Sequence, residues 1–304
     1  MLSEMKPFLF SALGNVYKHT TGTGLAKIPG VKAVYYPLLH YLWPGDRVVE
    51  VQGSRMHVNP GELPERFAET FQPFVFQGVW EELTTQLFKE VVREGDTVVD
   101  LGANMGYFTL LAARLVGEKG RVYAFEPEPV NYDLLLRNIA LNGYDNVVAL
   151  QKAVSDTSDK VMLSIHSTDS GRHTIRQAGY GEEYGEVIEV ESVTLDSFFK
   201  DKPFPDVVKI DVEGAELQAL AGMVRIIEAK RDLKIFIEFY PALLEESGYT
   251  VEEFAHRLLN EWNFSILSID EYYRNKGCMR IDNPTELVNL GKRREISNLL
   301  LEKR

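Results

Sequence analysis

From Thr97 onward, short apolar runs rich in β-branched residues alternate with stretches whose apolar positions recur at helical spacing. TVVDL, RVYAFE and NVVALQKAV read as strands, with one helix following Gly106 and another around Leu134 to Asn142. Residues 160 to 195 interrupt the rhythm with strand-like pieces and a Gly/Tyr-rich loop, QAGYGEEYGE. It resumes with DVVKIDV, a helix starting near Gly214, KIFIEF, a helix around Val251 to Asn260, and FSILSI. Strands alternating with helices signal a parallel sheet with crossover helices. The expected fold is α/β, a Rossmann-like sheet with helices on both faces.

Upstream the pattern changes. Trp80 to Val92 places Leu83, Leu87 and Val91 at helical spacing, predicting a helix that leads into the core. Asp46 to Asn59 carries short β-like runs about Gly53, predicting a small hairpin. Residues 1 to 45 are rich in aromatics, broken by Pro7, Pro29, Pro37 and Pro44, and show no sustained period. They read as an extension or cap. Tyr35, Tyr36, Leu38, Leu39, Tyr41, Leu42 and Trp43 fit either packing against the main domain or peripheral contact with a membrane surface. The expected division is an N-terminal extension over 1–77, a catalytic domain over 78–282 and a helical tail over 283–304.

Composition narrows the partners. Of 304 residues, 45% are hydrophobic and 26% charged, enough for a substantial core. A net charge of −12 disfavours nucleic acid, because the molecule as a whole repels a phosphate backbone. The lone Cys278 excludes an intrachain disulfide and any multi-thiolate zinc site, and fits a reducing, cytoplasmic setting. No early segment has the make-up of a cleaved signal, and no apolar run approaches the roughly 18 residues of a spanning helix. Nothing in the pattern sets an oligomeric state.

The candidate chemistry starts at VVDLGANMG, which ends a buried strand and enters a helix with Gly102 and Gly106 in a G-x-x-x-G arrangement. Glycine lets backbone approach a ligand closely, and a helix N-terminus offers free N–H groups to an anion. Asp100 is placed to contact the loop amides or a cofactor ammonium group. Glu126 closes the next strand 20 residues beyond Gly106, where a carboxylate accepts hydrogen bonds from both ribose hydroxyls. The glycine loop alone fits a simple strand-to-helix turn equally well. Paired with Glu126 it points to an adenosyl group, as in S-adenosylmethionine (SAM). A dinucleotide site expects G-x-G-x-x-G, and residues 101–106 lack its second glycine, so NAD(P) stays the lesser alternative. Lys152, Ala153 and Val154 are expected at the adenine edge of the crevice, or as an ordinary strand end.

A second group lies further on. Asp211 ends the apolar strand VVKI, and Gly214 opens a helix, which puts a carboxylate at the C-terminal rim of the sheet. Asp211 and His173 are candidate general bases, and Glu238, ending KIFIEF, is placed to join Asp211. Each also has a plainer reading: His173 as a loop histidine, Asp211 as a helix cap, Glu238 as a structural hydrogen-bonding group. Glu213 and Glu216 also suit the first turn of a helix. Residues 166 to 186 suit either a lid over the acceptor or a surface loop. Asp211, Glu213, Glu238 and His173 permit a divalent metal without a ligand spacing that indicates one.

Together VVDLGANMGYFT, VYAFEPEPVNYDLLLRNIALN, ALQKAVSD and VVKIDVEGAELQALAG closely resemble the FkbM family of SAM-dependent methyltransferases, over roughly residues 78 to 270. The resemblance implies a class I methyltransferase sheet and methyl transfer to a hydroxyl of a small molecule or sugar-containing compound. Asp100, Gly102, Asn104, Gly106 and Glu126 match the family's cofactor motif, with Ala103 and Pro127 inside the same blocks. Asp211, Glu213 and Glu216 match its later acidic motif. TDSGRH resembles a block that often ends in histidine, although Arg172 departs from it. Three classes stand at this point: a methyltransferase, an NAD(P) oxidoreductase, and a SAM-fold protein that binds a partner without catalysis.

Overall fold

A computed structural model of the chain describes residues 2–20, 31–42, 47–58, 76–167, 170–175, 184–271 and 276–303. Its centre is an eight-stranded sheet. The strands are β3 (Thr97–Leu101), β4 (Arg121–Phe125), β5 (Val147–Leu150), β9 (Val207–Ile210), β10 (Lys234–Phe239), β11 (Phe264–Asp270), β12 (Gly277–Ile281) and β13 (Ser297–Lys303). They lie in the order β12-β11-β13-β10-β9-β3-β4-β5. The five from β5 to β10 are parallel to their neighbours, while β13 is antiparallel to both β10 and β11. This is the Rossmann-like class I methyltransferase sheet. The chain leaves β3 towards β4 and β5, then returns to lay β9 on the other side of β3. Beyond the C-terminal ends of β3 and β9 the connections therefore diverge, and that is where an open α/β sheet leaves a crevice.

The period of two along each strand sorts the core. Val99, Leu101, Val208, Ile210, Ile235 and Ile237 enter one buried cluster, whereas Val98, Val207 and Phe236 enter the other. Asp100, Lys209, Asp211 and Glu238 share the second face, because each follows Val98, Val207 or Phe236 by an even number of residues. Asp100 pairs in register with Lys209, and Ile210 with Ile237, so these four polar residues converge at one end of the sheet.

Two expectations are corrected. Residues 283–304 were expected to form a helical tail, but only Pro284–Arg293 is helical, and Ser297–Lys303 is a strand in the middle of the sheet. Its apolar core, Leu299 to Leu301, is too short for periodicity to separate a buried strand from a buried helix turn. Residues 1–45 are not patternless either: helices span α1 (Leu2–Thr20) and α2 (Val31–Leu42), the second with Pro37 inside it. Phe10, Leu39 and Leu42 are buried in the same cluster as Val51, Met56 and Val58 of the hairpin and Phe88 of the Glu82–Val91 helix. This segment packs on the main domain, while Phe8, Val34 and Tyr41 are exposed. Trp43 lies outside the described residues. The hairpin of β1 (Arg47–Val51) and β2 (Ser54–Val58) turns through Gln52 and Gly53, both at positive φ, as a tight two-residue turn requires.

The interruption between β5 and β9 is a smaller sheet. β7 (Lys160–His166) and β8 (Tyr184–Val193) are antiparallel, and β6 (Ala153–Val154) joins β8. The proposed lid, 166–186, is described only at 166–167, 170–175 and 184–186; residues 168–169 and 176–183 lie outside the described residues.

Candidate active site

The loop after β3 is shaped by contact with β9. Gly102 has φ 75°, and a Cβ there would lie 1.8 Å from the Asp211 carbonyl oxygen, so only glycine lets the two strand ends meet. The N–H groups of residues 102 to 106 are not free for an anion. Gly102 and Ala103 both donate to Phe125 O at 3.0 Å, and Gly106 donates to Ala103 O at 2.8 Å. Asn104 N donates to Glu126 Oε2 at 2.7 Å, and Met105 N to Asn104 Oδ1 at 2.7 Å. Asp100 is likewise turned inward. Its carboxylate takes the Thr109 hydroxyl at 2.6 Å, on the helix Tyr107–Val116, and burial raises its pKa. Asp100, Ala103 and Gly106 are absent from the cleft wall and shape the loop from behind.

Glu126 faces the cleft from the end of β4. Its Oε1 accepts the Glu128 N–H at 3.0 Å and its Oε2 that of Asn104. A carboxylate offers about four acceptor positions, so two remain for donors in the cleft. Burial, against the pull of those two amides, lifts its pKa to about 8. Behind it Glu128 caps the helix Pro129–Asn142 by accepting Asn131 N at 2.6 Å. The amides of Asn104 and Asn131 both donate to Ser170 O, at 3.2 and 2.8 Å, and so tie residues 170–175 across the cofactor loop.

The opposite rim is acidic. Asp211 Oδ2 accepts from Lys209 Nζ at 2.7 Å, with Lys209 only 4% and Asp211 26% exposed. Burial alone would pull the Lys209 ammonium down, but Asp211, with Glu81 and Asp100, outweighs it and holds the group above the ordinary lysine range. Glu213 sits at φ 52° in a turn fixed on both sides: Thr174 Oγ1 donates to its carbonyl at 2.7 Å, and Ser247 Oγ to the Gly214 carbonyl at 2.6 Å. Glu216 serves this turn, accepting Gly214 N at 3.1 Å and Val212 N at 3.4 Å, and burial raises its pKa to about 7. Glu238 is buried beside them. Burial first, then the charges of Asp211, Glu213, Glu216 and Glu81, push its carboxyl well above the ordinary range. Asp211, Glu213 and Glu238 each present an oxygen, all within 4.8 Å of one another.

His173 faces the cleft, but its chemistry is not that of a base. Nδ1 accepts the His166 backbone N–H at 3.0 Å, which puts the proton of the neutral ring on Nε2. Burial, with His166 nearby, lowers its pKa to about 4. His173 is thus a neutral hydrogen-bond donor.

One cleft gathers these groups. It holds about 530 Å³ of empty space, open mouth included. Gly102, Asn104, Glu126, Pro127, Ala153, His173 and Asp211 line it, as do Lys152, Val154 and Glu213. Glu238, beside Asp211 on the neighbouring strand, is not in the wall. Asn131, Leu163, Ser170, Gly171 and Ile175 line it without having been singled out in the sequence. Lys209 was also missed, although a lysine inside an apolar strand demands a partner, and Asp211 two residues on shares its face.

Comparison with known proteins places the chain in a family. The Methyltransferase FkbM domain matches residues 100–277. Methyltransferase sdnD of Sordaria araneosa is 34% identical over 178 residues, 48% of this chain and 68% of that protein. Hexuronic acid methyltransferase AglP of Haloferax volcanii is 27% identical over 152 residues, 49% of this chain and 59% of its own length. The 31-O-demethyl-FK506 methyltransferase FkbM of Streptomyces tacrolimicus is 28% identical over 231 residues, 64% of this chain and 85% of that protein. Among solved structures, a precorrin-6y C5,15-methyltransferase from Geobacter metallireducens aligns with a TM-score of 0.41 at 13% identity, over 74% of this chain and 87% of that one. The nicotinamide alternative is set aside by the domain match: the chain belongs to the FkbM family and is a SAM-dependent methyltransferase.

Proposed function

We propose that this methyltransferase acts on a hydroxyl oxygen of a small-molecule or sugar-containing acceptor, in the cleft at the C-terminal ends of β3, β4 and β9. The observation that carries the reading is that Gly102, Glu126 and Asp211 line one cleft. The residues present fit the cofactor: Glu126 keeps two acceptor positions for ribose hydroxyls, Gly102 brings bare backbone to the wall, and Lys152, Ala153 and Val154 form the edge for adenine. Asn104 and Pro127 complete that wall. Bound SAM supplies an electrophilic methyl group on a sulfonium.

Asp211 is the group that handles the acceptor. Lys209 fixes one of its oxygens, leaving the carboxylate to orient the hydroxyl and to take its proton as the new C–O bond forms. Holding the nucleophile in line at near-attack distance supplies several kcal/mol of barrier reduction. With its proton on Nε2, His173 is suited to donate to an oxygen in the same cleft. The resemblance to AglP and FkbM, named for a hexuronic acid and a demethylated hydroxyl, supports oxygen over nitrogen or carbon as the acceptor atom. A cytoplasmic setting belongs to the same reading and rests on the lone thiol, Cys278.

The test pairs a calorimetric SAM titration with methyl transfer from labelled SAM into a pool of hydroxylated small molecules and glycosides. We expect a methyl ether product, and in Asp211→Asn a turnover about 100-fold or more lower with SAM affinity within a few-fold of the parent. A labelled product methylated only on nitrogen or carbon, or undiminished turnover in Asp211→Asn, would overturn the assignment.

A further inference from the structure

We propose that Asp211, Glu213 and Glu238 form a divalent cation site whose open coordination positions face the cleft and take the acceptor hydroxyl oxygen. The acceptor clause rests on the hydroxyl reading above; the cation clause does not. One oxygen from each carboxylate lies within 4.8 Å of the other two. Around Mg²⁺, Mn²⁺ or Ca²⁺, with metal–oxygen distances of roughly 2.1–2.4 Å, adjacent ligands stand about 3.0–3.4 Å apart and opposite ligands about 4.2–4.8 Å. The three oxygens lie close enough together to share one hard cation.

Glu238 supplies the independent observation. It is 7% exposed, contributes an oxygen to the cluster, and its buried Oε2 has no hydrogen-bond partner in the protein. A buried carboxylate oxygen without a donor costs several kcal/mol unless a cation or a proton meets it. Glu216 and Glu81 add further negative charge around it. As carboxylates, Asp211, Glu213 and Glu238 carry three negative charges. Lys209, bound to Asp211, offsets part of that charge. An all-oxygen donor set selects Mg²⁺, Mn²⁺ or Ca²⁺ over zinc or copper.

Position gives the site its use. Glu238 is not in the wall, whereas Asp211 and Glu213 are, so ligand positions not filled by protein open toward the acceptor. A cation there lowers the pKa of a coordinated hydroxyl, so that a weak base suffices to take its proton. The turn carrying Glu213 is held by Thr174, Ser247 and Glu216, which fixes one ligand before the ion arrives.

The test uses full-length protein stripped with chelator and titrated with Mn²⁺ in the absence of SAM and acceptor, read by the electron paramagnetic resonance of free Mn²⁺. We expect one saturable site, weakened at least about tenfold in Glu238→Gln and in Glu213→Gln and unchanged in Glu118→Gln, an exposed acid elsewhere. Circular dichroism and the melting temperature identify a variant that fails to fold, and the exposed rim makes Glu213→Gln the safer of the two. No saturable binding to the parent protein, or binding indifferent to both substitutions, overturns the site. Mn²⁺ binding of the expected pattern with no methyl transfer to any hydroxyl upholds the site and sinks the hydroxyl reading instead. Chelation that abolishes methyl ether formation, restored by Mg²⁺ or Mn²⁺, supports both.

Discussion

The two walls of the cleft are built on opposite terms. On the glycine-loop side every backbone N–H from 102 to 106 has an acceptor within the protein, and Glu126 is braced by two of the neighbouring amides. On the acidic side, carboxylates crowd around one ammonium, and a buried oxygen of Glu238 has no donor. A saturated network holds a shape and binds with little rearrangement, whereas an undersaturated one keeps electrostatic demand for a ligand. The contrast separates a wall that holds its shape from one that keeps electrostatic demand.

The largest effect is expected where the walls touch. Gly102→Ala drives a Cβ into the Asp211 carbonyl at a backbone conformation hostile to side chains. We expect about 3 kcal/mol or more of lost stability in urea unfolding, with SAM binding lost alongside. Next is Lys209→Met, which leaves the acidic wall without its cation. It should lower stability by about 3 kcal/mol, and a denaturation midpoint equal to that of the parent would show that the wall tolerates its charges unaided.

Glu126→Gln probes the saturated wall. With ribose hydroxyls donating to it, the carboxylate is favoured in its ionised form by binding, so SAM affinity should rise with pH until the free group's pKa of about 8 is passed. The glutamine variant should bind about tenfold more weakly at pH 9 and show a flat profile between pH 6 and 9 in calorimetry. The same group works against stability in that range. Its folded pKa lies above the unfolded value, so the favourable contribution is whole below the ordinary carboxyl pKa of 4.5 and is lost as pH rises through about 8; Glu216 acts likewise through about 7. Melting temperature should fall between pH 5 and 8.5, and less steeply in Glu126→Gln. The smallest effect is the absence of one: His173→Gln should leave the pH dependence of turnover unchanged between pH 5.5 and 8, since the histidine is already neutral there.

Much of this was legible in the residues themselves. The strand-helix rhythm defined the sheet, and the glycine loop with Glu126 and Asp211 defined the cleft, because each is a local pattern placed by topology at strand ends. What escaped depends on partners distant in sequence. Asp100 reads as a ligand until Thr109 takes its carboxylate, and His173 reads as a base until the His166 N–H fixes its tautomer. Asn131 and Ser170 reach the site only because their hydrogen bond joins segments 39 residues apart. β13 was hidden because its apolar run is short and its partners β10 and β11 are set by tertiary pairing.

That strand has a consequence for synthesis. Ser297–Lys303 lies between β10 and β11, with Asn298 opposite Glu238 and its amide donating to Thr84 Oγ1 at 3.0 Å. A nascent chain that has not yet released residues 297–303 exposes two unpaired strand edges in the middle of its sheet, and the acidic wall lacks its backing. Such a polypeptide is open to chaperones and proteases while the ribosome is still working. The middle of the sheet is thereby closed by a segment that follows both of its neighbours in the chain.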